Sequence, residues 1–116
     1  MNAYLVVITL FLLVACHREA DEPTPNEAPA CIRLLIEHNG RGNSGESYLA
    51  IYRYKYQKRY VYFGDADCCD QYNLLLDSDC QVLCAPSGGF SGKGDGKCSD
   101  FFKEATEKTE LWRKPQ

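Results

Sequence analysis

Histidine, an excess of basic charge and long apolar runs are all scarce in this 116-residue chain, and each scarcity excludes a class of function. Of two histidines, His17 and His38, only His38 lies in the part expected to fold. Ser–His or Cys–His machinery therefore has almost no base to draw on. Nothing singles out a pair of carboxylates for acid–base work either, so the chain is expected to be non-catalytic, with no cofactor. Residues 31–116 carry 12 Lys+Arg against 12 Asp+Glu, and a neutral domain offers no field for phosphates. Nucleic acid is excluded as a partner. The apolar run at 4–15 has 12 residues, against the roughly 20 that a membrane-spanning helix needs. It reads as the core of a signal peptide, spanning 1–15.

What is present in excess is cysteine, seven in all. That run ends in Leu13-Val14-Ala15-Cys16, which resembles the bacterial lipobox, where cleavage before a diacylated cysteine leaves it as the new N-terminus. The segment 1–4 has no Lys or Arg, a departure from the usual pattern. Setting Cys16 aside leaves Cys31, Cys68, Cys69, Cys80, Cys84 and Cys98, an even set able to pair completely in an oxidising envelope. Cys16 is thus the expected site of lipidation (palmitate among its acyl chains), and the membrane the first partner. Residues 16–29 hold all the net charge of −3, from Arg18 against Glu19, Asp21, Glu22 and Glu27, and read as an extended acidic tether. The stretch 18–22 resembles a surface-export signal, so the expected location is the outer membrane, facing either the periplasm or the cell surface.

Residues 30–116 read as one disulfide-rich domain. The stretch 29–40 has Ile32, Leu35 and Ile36 at helical spacing, with Asn39-Gly40 as a left-handed stop. Gly40, Gly42 and Gly45 spell a dinucleotide fingerprint, but in the wrong order: helix before, strand after. From Tyr48 on, tyrosines recur at period two, with Tyr52, Tyr54 and Tyr56 on one face of a strand. A hairpin through Gln57-Lys58 leads into the segment 60–63. Asp77-Ser78-Asp79 reads as a turn and 80–84 as a short strand. Residues 99–112 read as a second helix, capped by Ser99 or Asp100 and supported by Glu104 with Lys108. The expected fold is α+β, with an N-terminal and a C-terminal helix packed on a short antiparallel sheet.

The tyrosine face reads first as core beneath the first helix. Four tyrosines on one face are more than a short helix covers, so Tyr52, Tyr54 and Tyr56 are also candidates for stacking a glycan. The stretch 86–98 holds five glycines and two lysines. It fails as a Walker loop, since Ser87 and Gly94 stand where a glycine and a hydroxyl are required. The acids between Asp65 and Asp100 match no EF-hand, and the cysteine spacing no zinc knuckle. What remains is a tight loop whose tip, with Phe90 and Lys93, is a candidate contact for a partner. Two roles follow: an envelope lipoprotein binding a glycan or protein, or a protease-inhibitor-like module acting through the 86–97 glycine loop.

Cys68-Cys69-Asp70-Gln71, Cys80 with Cys84 and Pro86, Gly88-Gly89, Gly92, Gly94-Asp95-Gly96, Cys98 and Asp100-Phe101 together resemble the signatures of an uncharacterised family of small Bacteroidota lipoproteins. The resemblance covers about residues 30–113 and implies a lipid anchor and a shared fold, but no activity.

Six cysteines allow 15 pairings. Closure between neighbours is strained, so Cys68 and Cys69 are expected to take two different partners. On a strand, four residues hold Cys80 and Cys84 about 13 Å apart, too far to bond each other, whereas on a helical turn they could pair. The partners of Cys68 and Cys69 come from Cys31, Cys80, Cys84 and Cys98, and the two left over are expected to pair, Cys84 with Cys98 across the glycine loop. On the lipid reading, Cys16→Ser abolishes both palmitate incorporation and partition into detergent; unchanged labelling would refute the assignment.

Overall fold

The computed structural model describes residues 27–42 and 47–116; the signal segment, Cys16 and most of the tether lie outside them. Helix α1 (Ala30–Gly40) begins after Pro29, whose carbonyl accepts the N–H of Arg33 at 3.0 Å. Its apolar stripe faces the sheet as expected: Ile32 is fully buried, and Leu35 and Ile36 pack at its side. The left-handed residue that ends it is Gly42 (φ 67), since Arg41 keeps a right-handed C-cap. Asn39 ties the helix to the sheet. Its Nδ2 donates to Leu35 O at 2.8 Å, and its Oδ1 accepts the N–H of Tyr48 at 2.9 Å.

Tyr48 opens β1 (Tyr48–Tyr56), which forms the expected hairpin with β2 (Arg59–Ala66). The two-residue turn is tight, and both Gln57 (φ 50) and Lys58 (φ 64) are left-handed. That is the signature of a type I′ turn, here made without glycine or asparagine. Strands β3 (Tyr72–Leu76) and β4 (Val82–Gly88) follow, joined through Asp77, whose Oδ1 accepts the N–H groups of Asp79 and Gln81 at 2.9 Å. Cys80 lies in this turn at φ 59, so the expected strand starts only at Val82. A four-residue helix, α2 (Phe101–Glu104), precedes β5 (Thr106–Arg113). The five strands form one antiparallel sheet in the order β4-β3-β2-β1-β5.

The expected C-terminal helix is therefore mostly a strand. Asp100 takes the N-cap position without a side-chain cap, because its Oδ1 accepts the Tyr56 hydroxyl at 2.7 Å. Ala105 then turns extended, at ψ 141. The outer edge of β1 supplies what local propensity could not, a ladder for the β-branched Thr106 and Thr109. Lys108 does not pair with Glu104 along a helix; its ammonium sits 4.5 Å from the centre of the Tyr52 ring.

The sheet is buried on both faces. Beneath α1 lie Tyr48, Ile51, Tyr62, Leu76 and Leu111. Beneath α2 lie Tyr54, Tyr56, Val61, Phe63 and Leu75, packed around Phe101, which is 0 % exposed. A bulge at Leu49 sets this division. Tyr48 pairs with Ala66 and Ala50 with Asp65, so Leu49 is the extra residue. Strict alternation would have put Tyr48 with the other tyrosines, but the bulge turns it to the α1 face. Burial pushes the Tyr62 phenol above its ordinary range. The Tyr56 phenol is raised too, first by its hydrogen bond to the Asp100 carboxylate and then by burial.

Two bridges staple these layers. Cys31–Cys80 ties α1 to the β3–β4 turn, with Cα atoms 6.0 Å apart. Cys84–Cys98, the expected bridge, closes the glycine loop at 6.1 Å. Chain entropy assigns them about 4 and about 3 kcal/mol respectively. The expectation for the other two cysteines is corrected. Cys68 and Cys69 bond each other, because Cys31 is held beside Cys80 and a left-handed Cys69 (φ 61) swings its side chain back toward Cys68. Replacing Lys58 by glycine should raise stability by about 0.5–1 kcal/mol: removing roughly 1–2 kcal/mol of left-handed strain outweighs the unfolded-state entropy gained. Urea unfolding with an unchanged slope would measure it, and a loss of stability would contradict the turn assignment.

Candidate functional site

The tyrosine ladder is mostly interior. Tyr54 is 8 % and Tyr56 6 % exposed, with their rings edge-on to Phe101 at centroid distances of 5.0 and 5.2 Å. Neither has a free face for a sugar ring, and the helix that covers them is not the expected first one: α2 packs on this face, while α1 packs on the opposite face of the sheet. Tyr52 is half-buried, and its hydroxyl accepts Arg113 Nη2 at 2.7 Å. With Lys108 over its ring, it too is engaged from within the chain.

The other sequence candidates fare differently. Phe90 is 95 % exposed, and Lys93 is exposed beside it. Their loop is nevertheless firmly shaped. Gly88 donates to Gly92 O at 3.2 Å, Gly94 to Gly88 O at 3.0 Å, and Asp95 to Ala85 O at 2.9 Å. Asp95 Oδ1 in turn accepts the N–H of Lys97 at 3.0 Å. All five loop glycines have positive φ. At Gly94 a side chain is also sterically barred, since a Cβ there would run into Ala85 O and the backbone of Pro86. Gly92 lies in open space.

This loop meets a second segment that sequence reasoning did not connect with it. Gly89 donates its N–H to Gln71 O at 2.9 Å, Gly88 pairs with Tyr72, and the Tyr72 ring lies against Gly89. Thus the Cys68-Cys69-Asp70-Gln71 stretch and the Gly88-Gly89 stretch, seventeen or more positions apart in sequence, become one surface. Beside it opens a cleft of about 250 Å³ lined by Ser47, Tyr48, Asp70, Gln71, Tyr72 and Leu74. Tyr72 is 48 % exposed, and among the described residues the Asp70 carboxylate and the Gln71 amide have no hydrogen-bond partner. The only sequence cue to this meeting was that both stretches belong to the resembled signatures.

The floor of the cleft is braced by polar contacts. Asn73 accepts the N–H of Ala66 at 2.8 Å and donates to Ser87 Oγ at 2.9 Å. Asp67 accepts from Ser47 Oγ at 3.2 Å and from Lys114, whose ammonium holds its carboxyl below the usual range. Four of the seven acids weighed as calcium ligands are in this way spent on turns and braces: Asp67 here, Asp77 and Asp95 in turns, Asp100 on Tyr56. Among the described residues no group of three or more His, Cys, Asp or Glu side chains is placed to hold a metal, and no helix is long and apolar enough to cross a membrane.

A family model described as a domain of unknown function (DUF6970) matches residues 38–114. No curated protein and no solved structure matches the chain. Two glycine substitutions test the loop. Gly92→Ala should cost about 1–2 kcal/mol, the left-handed penalty alone, while Gly94→Ala should cost more because its Cβ also collides with backbone. Thermal melts that rank them the other way would refute the described loop.

Proposed function

We propose a non-catalytic binding role for this chain, which belongs to the family of domains of unknown function DUF6970. In this reading it is a lipoprotein of the Bacteroidota type, anchored in the outer membrane through Cys16, that engages a protein partner through the glycine loop with Phe90 as the anchor.

One observation carries the reading. An aromatic side chain that is 95 % exposed stands on a loop that is cross-linked, hydrogen-bonded and rich in left-handed turns. Leaving Phe90 in water forgoes about 1.5–3 kcal/mol of burial, and its rigid mount lowers the ordering cost of binding. Rigid aromatic anchors that enter a partner's pocket are the usual hot spots of protein interfaces. Lys93 supplies a charge at the rim. The protease-inhibitor variant draws less support, since a cleft that takes an extended strand does not match a segment curled back so that Gly88 meets Lys93.

A glycan reading is favoured by a different observation, the neighbouring cleft. Tyr72 offers an aromatic face, and Asp70 and Gln71 offer acceptors and donors with no internal partner. A volume of about 250 Å³ falls just below the usual range for drug-sized ligands, which suits a single ring.

The two readings separate cleanly. With the full chain in detergent, Phe90→Ala should weaken binding to a cross-linked and identified envelope protein about 30-fold, the equivalent of about 2 kcal/mol. Its melting temperature should not change. Undiminished affinity would sink the loop as the contact. Binding on a glycan array, lost in Gln71→Ala but kept in Phe90→Ala, would instead favour the cleft.

A further inference from the structure

The third cysteine pair differs from the other two in place and exposure. Cys84 and Cys98 are each 5 % exposed within the core under α2, and Cys31 on α1 and Cys80 in the turn it is tied to are partly buried. Cys68 and Cys69 are both exposed, in the loop that joins β2 to β3. This pair joins no two elements. The ring it closes is too small to restrict the unfolded chain, so its contribution to folding is the least of the three.

Covalent geometry makes the pair a poor fit to a relaxed disulfide. Adjacent residues are held about 3.8 Å apart at Cα, whereas unstrained bridges span about 4.4–6.8 Å. The separation here is 3.6 Å, against 6.0 and 6.1 Å in the stapling bridges. Closure also holds Cys69 at φ 61, a conformation that costs a residue with a Cβ. Strained, exposed disulfides are the ones that exchange readily with thiols. We propose that Cys68–Cys69 is a thiol–disulfide exchange site that a dithiol reductant opens while the domain stays folded.

The step balances without any further group. One thiolate of the reductant attacks an exposed cysteine sulfur; the Cys68–Cys69 bond breaks and the other cysteine leaves as a thiolate. The reductant's second thiolate then attacks its own sulfur in the mixed disulfide, closing the reductant's disulfide and releasing the remaining cysteine. Two electrons pass to the pair, and the protons given up by the dithiol return to the two new thiolates. Opening frees Cys69 from its left-handed conformation. The next two residues, Asp70 and Gln71, line the cleft, so the redox state of the pair reaches the cleft wall through one continuous loop. The inference stands whether or not Phe90 or the cleft proves to be the binding contact.

Graded dithiothreitol, alkylation and peptide mapping of the full chain test it. Cys68 and Cys69 should become alkylated at reductant concentrations about tenfold or more below those that open Cys31–Cys80 or Cys84–Cys98. The melting temperature at that stage should match the oxidised protein within a few degrees. The double variant Cys68→Ser with Cys69→Ser should remain folded and lose the low-reductant step. Opening of the pair together with, or after, the other bridges would overturn the proposal. So would alkylation of Cys68 and Cys69 before any reductant is added, or survival of the early step in the double variant.

Discussion

Phe101 inserts between Tyr54, Tyr56 and Phe63, with ring centroids 5.0, 5.2 and 6.0 Å from its own, and much of the domain is arranged around that contact. An isolated helix of four residues has no stability of its own, since the first turn fixes several dihedrals for a single hydrogen bond. Helix α2 exists because Phe101 is drawn into the sheet and Asp100 is held by Tyr56. Seating that turn also fixes its two neighbours in sequence. Cys98, three residues earlier, is brought to Cys84, and Thr106, five residues later, is delivered to the open edge of β1. One aromatic insertion therefore positions the glycine loop on one side and the last strand on the other.

The division of tyrosines between the two faces follows from a single added residue. Without the Leu49 bulge, Tyr48 would crowd the aromatic cluster and leave the α1 face short of a large side chain. With it, the Tyr48 ring covers Gly64, where any Cβ would collide with the ring. The same bulge brings the N–H of Tyr48 to Asn39, which joins the helix end to the sheet. Both layers of the domain thus close at the point where the cleft begins.

Legibility in the sequence tracked how local the cause was. The Ile32, Leu35 and Ile36 stripe, the hairpin through Gln57-Lys58 and the Asp77 turn rest on neighbours within a few residues, and each was readable. Residues 105–113 were not, because their strand is imposed by β1, some fifty residues earlier, against a local pattern that suits a helix. Which cysteines pair was partly readable. Cys80 and Cys84 do bond elsewhere, although Cys80 sits in the β3–β4 turn against Cys31 and not on the expected strand; adjacency argues against Cys68 with Cys69, and a left-handed residue lifts that bar at a cost. Of the candidate contacts, Phe90 and Lys93 emerged at the surface, whereas Tyr54 and Tyr56 were claimed by a packing partner from the far end of the chain. Gln71 and Tyr72 carried no local sign, since their surroundings are assembled by Gly88 and Gly89.

A five-stranded sheet that does not close into a barrel leaves two edges, and an unpaired edge is a template for another chain. Both edges here are spoiled. Beyond β4 the glycine loop folds back, so that Lys93 bridges to Gly88. Along β5 the register with β1 slips twice, Glu107 sits at φ 54, and Glu107, Lys108, Glu110 and Arg113 stud the strand with charge of both signs. A neighbouring copy approaching either edge meets a kinked, charged or already occupied ladder. Crowding of many copies is thus met by a fold that resists strand exchange and cross-β growth, and contact between molecules is left to side chains instead of backbone.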